Sequence, residues 1–109
     1  GYHEAYFTKA QKIRRLITNK VNEMFDSYDF ICTPTTPHVA FKLGDKKTDP
    51  TQMYLEDIFT VLANLSGNPA ISIPVKNHSS KLPFGFQIMA RNFDEEGLLS
   101  FSKNNNFKI

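Results

Sequence analysis

The chain has 109 residues, of which 13 are basic and 11 acidic, giving a net charge of +2, and 40% are hydrophobic. This length fits one small domain that buries roughly 60–65% of its unfolded surface, and the balanced charge does not by itself indicate nucleic-acid binding. The single cysteine, Cys32, excludes an internal disulfide framework or a cysteine-based metal cluster, and no apolar run approaches the ~20 residues of a membrane helix.

Residues 3–27 are predicted to form one long helix. Apolar side chains recur there at steps of three or four, the spacing of a single helix face, at Tyr6, Ala10, Ile13, Ile17, Val21 and Met24. Basic side chains lie mostly off this face, at Lys9, Lys12, Arg15 and Lys20. A solvated basic surface is the favoured interpretation, because no aromatic residues interleave these charges to stack on bases.

The following segment, DFICTPTTP, is predicted to contain a short buried strand. Phe30, Ile31 and Cys32 form an apolar run that stops at Pro34, so we expect Cys32 in the core. Residues 34–48 are expected to form an irregular loop. We expect His38, in this loop, to be a surface residue, because no partner lies at a metal-binding spacing.

A second helix is predicted over residues 50–66. Asp49 can cap it, Pro50 suits its first position, Gln52 follows the cap by three residues, and Gly67 can end it in a left-handed conformation. Its expected buried face consists of Tyr54, Ile58, Val61, Leu62 and Leu65.

Two strands and a helix are predicted to complete the chain. The first strand, AISIPV, alternates Ile71, Ile73 and Val75 with smaller residues, and a polar turn, NHSSK, leads to PFGFQIMAR. The second strand carries one apolar face, made of Phe84, Phe86, Ile88 and Ala90. A last helix is predicted over DEEGLLSFS, with Asp94 as its cap. This order of elements indicates an α/β fold with helices covering a mixed sheet.

Ser66 and Ser72 are the candidate nucleophiles of the stretch NLSGNPAISIP. The nucleophile elbow requires G-x-S-x-G between a strand and a helix, whereas here a helix leads into a strand and the pattern is absent. Lys76 lies four residues after Ser72, with a proline between them. A role in satisfying backbone groups near the helix end is therefore favoured, although a triad assembled through space stays open.

Two adjacent carboxylates, Glu56 and Asp57, lie on the predicted second helix. Side chains one residue apart point about 100° apart, so the two cannot form a paired-carboxylate site. Glu56 is expected to be solvated, whereas Asp57 lies at the boundary of the apolar face, in line with Asn64 and near Thr60. Periodicity alone favours a surface position for Asp57, with the edge of a cleft as the alternative. Glycine-rich phosphate loops and metal-ligand spacings are absent from the sequence.

Four segments are similar, in the same order and spacing, to segments of the amidase signature family. They are YFTKAQKIRRLI, YDFICTPTTP, DPTQMYLEDIFTVLANLSGNPAISIPV and LPFGFQIMARNFDEEGLL. The similarity extends over residues 1–99 and is greatest to the glutaminase subunits of the tRNA-dependent amidotransferases in that family. Residues 100–109, a polar tail, depart from the pattern.

The resemblance implies a fold, an activity and partners. The fold would be the C-terminal portion of an α/β/α sandwich with a mixed sheet. The full-length protein would release ammonia from glutamine for ATP- and Mg-dependent conversion of Glu-tRNA(Gln) to Gln-tRNA(Gln), together with other subunits and in the cytoplasm. We expect this chain to hold neither a cofactor nor a metal, to stay off membranes, and to expose apolar surface through which it self-associates.

The resemblance also implies which residues act. The family's Ser–Ser–Lys triad belongs to an upstream segment, so Ser66, Ser72 and Lys76 do not inherit it, and we expect the chain alone to be inactive. Asp57, in the family's Y-x-x-D pattern, resembles the residue that binds the α-amino group of glutamine. Two alternatives remain, which are a segment of another amidase-signature hydrolase and a separate RNA-binding or interaction module.

Overall fold

The computed structural model describes residues 1–45, 49–76 and 78–104. Helices and strands follow one another in these residues in nearly the predicted order. They are α1 (Tyr2–Ser27), β1 (Ile31–Pro34), α2 (Pro50–Glu56), α3 (Val61–Ser66), β2 (Ala70–Pro74), β3 (Gly85–Met89) and α4 (Glu95–Asn104). The predicted first helix, the three strands and the last helix are thereby confirmed.

The three strands form one sheet in the order β1–β3–β2. Both edge strands run antiparallel to β3, so that Thr33 of β1 and Ser72 of β2 flank Gln87 of the central strand. The pairings among the described strands are all antiparallel, so the parallel pairings that a mixed sheet requires are not among them. Gln87 is therefore held between two neighbouring strands.

Helices cover both faces of the sheet. On one face, Met89 contacts the buried side chains Val21 and Phe25 of α1, with Leu62 of α3 packed against the same cluster. On the other face, Ile88 lies in a cluster with Leu98 of α4. Residues 88 and 89 point to opposite sides because side chains alternate along a strand. The layers are therefore helix, sheet and helix, and the predicted α/β class is confirmed.

Only the C-terminal half of α1 is buried. Val21 and Phe25 are buried, whereas Tyr6, Ile13 and Met24 of the predicted apolar face are exposed. A helix of 26 residues is about 39 Å long, which is longer than the short helix α3 against which it packs. Arg91 reaches the C-terminal end of α1, where its Nη2 donates to the carbonyl oxygen of Phe25 at 2.8 Å. Of the predicted apolar face, only Val21 is buried and Ile17 half-buried.

The predicted helix over residues 50–66 is interrupted at a turn formed by residues 57–60. Its ends are as predicted, because the Asp49 carboxylate accepts from the backbone N–H of Thr51 at 2.9 Å and Gly67 is left-handed with φ 79°. The expected buried face is wrong in part: Tyr54, Ile58 and Val61 are exposed, and only Leu62 and Leu65 are half-buried. No neighbouring element among the described residues covers α2, which contains no buried residue.

At the Asn-Pro step between α3 and β2, a side-chain donor replaces a backbone donor of the sheet. The carbonyl oxygen of Pro69 accepts from the N–H of Ala90 at 3.0 Å, which continues the β2–β3 ladder by one position. Proline has no N–H that could donate to the carbonyl oxygen of Ala90 in the second hydrogen bond of this pair. The side chain of Asn68 supplies that donor, with Nδ2 at 3.0 Å from the carbonyl oxygen of Ala90. Asn68 is 7% exposed, and its Oδ1 has no partner among the described residues.

Cys32 is exposed, so the expectation that it lies in the core was wrong. It is paired with Ile88 and shares the face of the sheet that α4 covers. However, α4 packs mainly over β2 and β3, and Cys32 lies on the edge strand β1, where its side chain stays exposed. Partial burial against the strand still raises the pKa of the Cys32 thiol above its usual value.

The last helix extends further than the sequence predicts. Asp94 caps it, with Oδ1 accepting from the N–H of Gly97 at 3.2 Å. Residues 100–104, predicted to belong to a polar tail, continue α4, and Phe101 stacks on Phe30 at 4.3 Å between ring centroids. Residues 105–109 of that tail, 46–48 of the predicted loop and 77 of the predicted turn lie outside the described residues. Within the described ranges, no helix has the length and apolar character needed to cross a membrane.

Candidate functional site

Asp57 lies at the junction between α2 and α3. It follows the last residue of α2, with φ −98° and ψ 0°, and its side chain is exposed. Its carbonyl oxygen accepts from the backbone N–H groups of Thr60 at 3.1 Å and Val61 at 3.0 Å, and from Thr60 Oγ1 at 3.2 Å. The backbone of Asp57 is thus fixed by the turn, while its side chain is exposed to solvent.

The central strand anchors this turn. Nε2 of Gln87 donates to the carbonyl oxygen of Phe59 at 2.8 Å and to Thr33 Oγ1 at 3.1 Å. Gln87 is 8% exposed, and a buried side-chain amide needs such partners to offset its desolvation. The turn that carries Asp57 is therefore tied to β3 and, through Thr33, to β1.

A cavity of about 310 Å³ lies beside α2. Its lining includes Glu56, Asp45, Asp49 and His38, but not Asp57. Glu56 is half-buried and thus less exposed than expected, whereas His38 is exposed as expected. No group of His, Cys, Asp or Glu side chains in the described ranges has a metal-binding arrangement.

The candidate serines have structural partners. Ser66 is buried, and its Oγ donates to the carbonyl oxygen of Leu62 at 2.9 Å, which confirms the expected role near the helix end. The hydroxyl groups of Ser72 and Thr35 share a hydrogen bond of 2.6 Å above Gly85. Lys76 is exposed and follows the end of β2. No described hydrogen bond joins these residues into a nucleophile–base pair.

A larger recess, of about 640 Å³, lies between α1 and α3 and is basic. Lys12, Arg14 and Arg15 contribute to its lining. Arg14 is already engaged, because its Nε and Nη2 donate to the carbonyl oxygens of Leu65 and Asn64. The recess does not include Asp57, and its charges suit an anion rather than an ammonium group.

Sequence reasoning missed the residues that hold this region together. Arg14, Gln87 and Asn68 each bond a backbone carbonyl oxygen far away in sequence. A polar residue inside an apolar strand pattern, as Gln87 is in FGFQIMA, is the one available signal, because burying an amide requires a partner.

Comparison with known proteins gives one consistent family. The sequence profile of the Amidase family matches residues 1–99. The glutamyl-tRNA(Gln) amidotransferase A subunit of Thermodesulfovibrio yellowstonii is 52% identical over 102 residues, which cover 94% of this chain and 21% of that protein. The corresponding protein of Pelagibacter ubique is 50% identical over 102 residues, with the same coverage. The chain spans about a fifth of the length of the curated relatives it matches.

Solved structures agree with this result. The crystal structure of the glutamyl-tRNA(Gln) amidotransferase A subunit from Thermotoga maritima superposes with a TM-score of 0.82 at 50% identity, covering 89% of this chain and 21% of that one. A structure of 6-aminohexanoate cyclic dimer hydrolase superposes with a TM-score of 0.64 at 30% identity, covering 79% of this chain and 20% of that one.

Proposed function

Because the chain belongs to the amidase family, we propose that it is the C-terminal segment of the glutaminase subunit of a glutamyl-tRNA(Gln) amidotransferase. The observation that carries this proposal is the higher identity to the A subunits of that enzyme, 50–52%, than to the cyclic dimer hydrolase, 30%. The full-length protein would release ammonia from glutamine in the cytoplasm, and partner subunits would use ATP and Mg to amidate Glu-tRNA(Gln).

In that enzyme the segment supplies scaffold and substrate recognition. Asp57 binds the α-ammonium group of glutamine, because an ammonium group needs a fixed anion and a charge-assisted hydrogen bond is stronger than a neutral one. Two features support this role. The side chain of Asp57 is exposed, and the backbone of this residue is fixed by the 57–60 turn.

The bond-breaking groups of the reaction lie outside this chain. Ser66 and Ser72 are engaged in structural hydrogen bonds, and neither is bonded to a base among the described residues. A nucleophile needs such a base within hydrogen-bond reach. We therefore expect the chain alone to have no hydrolytic activity.

Ammonia release from glutamine tests the proposal. The full-length protein with its partner subunits should release ammonia, and the 109-residue chain purified alone should not. Turnover by the chain alone, surviving repeated purification, would show that the active site has been misplaced. A full-length protein that hydrolyses small or fatty amides but not glutamine would identify another hydrolase of the family.

A further inference from the structure

Gln87 is the described residue that ties the candidate site to the sheet. The geometry points to Gln87 as a positioning residue: its side-chain amide holds the 57–60 turn and thereby fixes the carboxylate of Asp57 for the ammonium group of glutamine. This inference rests on the proposed function. In this inference Gln87 does not contact glutamine itself but acts through Asp57, which does.

The local hydrogen bonds of the turn do not fix it to the rest of the molecule. Described bonds within residues 57–60 link positions at most four apart, as from Asn64 Nδ2 to the carbonyl oxygen of Thr60 at 3.1 Å. The exception is the bond from Gln87 to Phe59, which spans 28 positions. On the preceding side, α2 has no buried residue.

The amide of Gln87 is well suited to this task. It lies on the central strand, flanked by Thr33 and Ser72, where the ladders on both sides limit backbone motion. Its Nε2 carries two N–H groups, and the two acceptors, Phe59 O and Thr33 Oγ1, use both of them. Because Phe59 is two residues from Asp57, a shift at the anchor moves the carboxylate relative to the substrate.

Substitution in the full-length amidotransferase tests the inference. Gln87→Met keeps the volume but removes both donors, and Gln87→Asn keeps the amide one methylene short of Phe59, which provides a second variant if the first does not fold. Each should raise the KM for glutamine about five- to tenfold with kcat changed less than about twofold. Thr33→Val is the matched control, because it removes the other acceptor of Gln87 and leaves the bond to Phe59, so it should leave the KM near that of the unsubstituted enzyme.

Asp57→Asn, measured in parallel, separates the two proposals. A raised KM in the Asp57 and Gln87 variants but not in Thr33→Val supports the positioning role. A raised KM for Asp57→Asn with unchanged values for the folded Gln87 variants overturns this inference and leaves the proposed function intact. If Thr33→Val alters KM and thermal stability as much as the Gln87 variants do, Gln87 is structural only. An unchanged KM for Asp57→Asn removes the substrate role and this inference with it.

Discussion

Arg14 and Leu65 are joined by a hydrogen bond of 2.9 Å across 51 positions of sequence, from the guanidinium Nε on α1 to a carbonyl oxygen in the last turn of α3. The Nη2 of the same side chain reaches the carbonyl oxygen of Asn64 at 3.3 Å. The last carbonyl groups of a helix lack intrahelical partners, so the guanidinium satisfies two acceptors and places a positive charge at the negative end of the helix.

Replacing Arg14 with Gln should therefore destabilise the fold. We expect a loss of about 1 kcal/mol in the free energy of unfolding, since the two hydrogen bonds of the Arg14 guanidinium are exposed and partly screened by solvent. Arg14→Lys should recover little, because an ammonium group cannot reproduce the planar fork. Urea unfolding measures the change, with Arg15→Gln as the matched control. Equal midpoints for the Arg14 and Arg15 variants would contradict the capping role.

Asp57→Asn should weaken the use of glutamine in the full-length enzyme. The amide keeps the shape of the carboxylate but not its charge, so we expect a rise in KM of roughly 10- to 100-fold, the range of one charge-assisted hydrogen bond. Steady-state ammonia release over a range of glutamine concentrations measures it. Glu56→Gln, one position earlier, is the control and should leave the KM within about twofold.

Gly85→Ala should destabilise the sheet through steric contact. A Cβ at this position would lie 2.6 Å from Ser72 Oγ and 2.7 Å from Thr35 Oγ1, so the hydroxyl pair must separate. We expect a loss of about 1–3 kcal/mol in unfolding free energy. Ser72→Ala removes one of the two obstacles, so the double variant should lose less than the sum of the two single losses. Strict additivity in denaturant unfolding would contradict this explanation.

The chain on its own should self-associate through the exposed apolar side chains of α2 and α3. Tyr54, Ile58 and Val61 lie close in sequence around the turn and are all exposed. Exposed apolar side chains promote association in water where they lie together. Sedimentation velocity should show dimers or larger species that Ile58→Lys reduces, whereas Gln52→Lys, an exposed position on α2, should not. A monomer at all concentrations would contradict the prediction.

The thiol of Cys32 should react slowly for an exposed cysteine. Burial raises its pKa, so less thiolate is present near pH 8 than in an unfolded chain. The rate of alkylation by iodoacetamide should rise with pH, and the midpoint of this rise should lie at a higher pH than for a cysteine in an unstructured peptide. The pKa of the Cys32 thiol is higher in the folded chain than in the unfolded chain. The contribution of this thiol to the free energy of unfolding is therefore fully present below the unfolded pKa and is lost as pH rises through the folded pKa. A midpoint equal to that of the peptide would contradict the burial effect.

Local chemistry made most of the element boundaries predictable. Asp49, Gly67 and Asp94 end or begin helices as expected, because capping depends on neighbouring backbone groups alone. The alternation of Ile71 and Ile73 with smaller residues predicted β2, because it too is a local feature of the sequence. The interruption at residues 57–60 was not predictable, since it contains neither glycine nor proline and is held by Gln87 from another element.

Burial was less predictable, because it depends on what covers each face. Ile58 and Tyr54 have helical spacing, but no element among the described residues lies over them. Cys32 shares a face with Ile88, yet Ile88 on the central strand is buried and Cys32 on an edge strand is exposed. Periodicity predicted Asp57 at the boundary of an apolar helix face, whereas the structure places it exposed in a turn after α2. Its proposed role in binding glutamine came from the family resemblance and stays a prediction.

The Asn-Pro step also constrains how the chain can vary. Proline at position 69 is compatible with the ladder only because the preceding side chain acts as a surrogate for the absent amide proton of the backbone. Pro69 therefore depends on Asn68: substitution of Asn68 alone would leave the carbonyl oxygen of Ala90 without its donor, whereas any residue other than proline at position 69 would supply a backbone N–H. Variation at position 68 should accordingly be tolerated only when position 69 is no longer proline, whereas position 69 can vary alone.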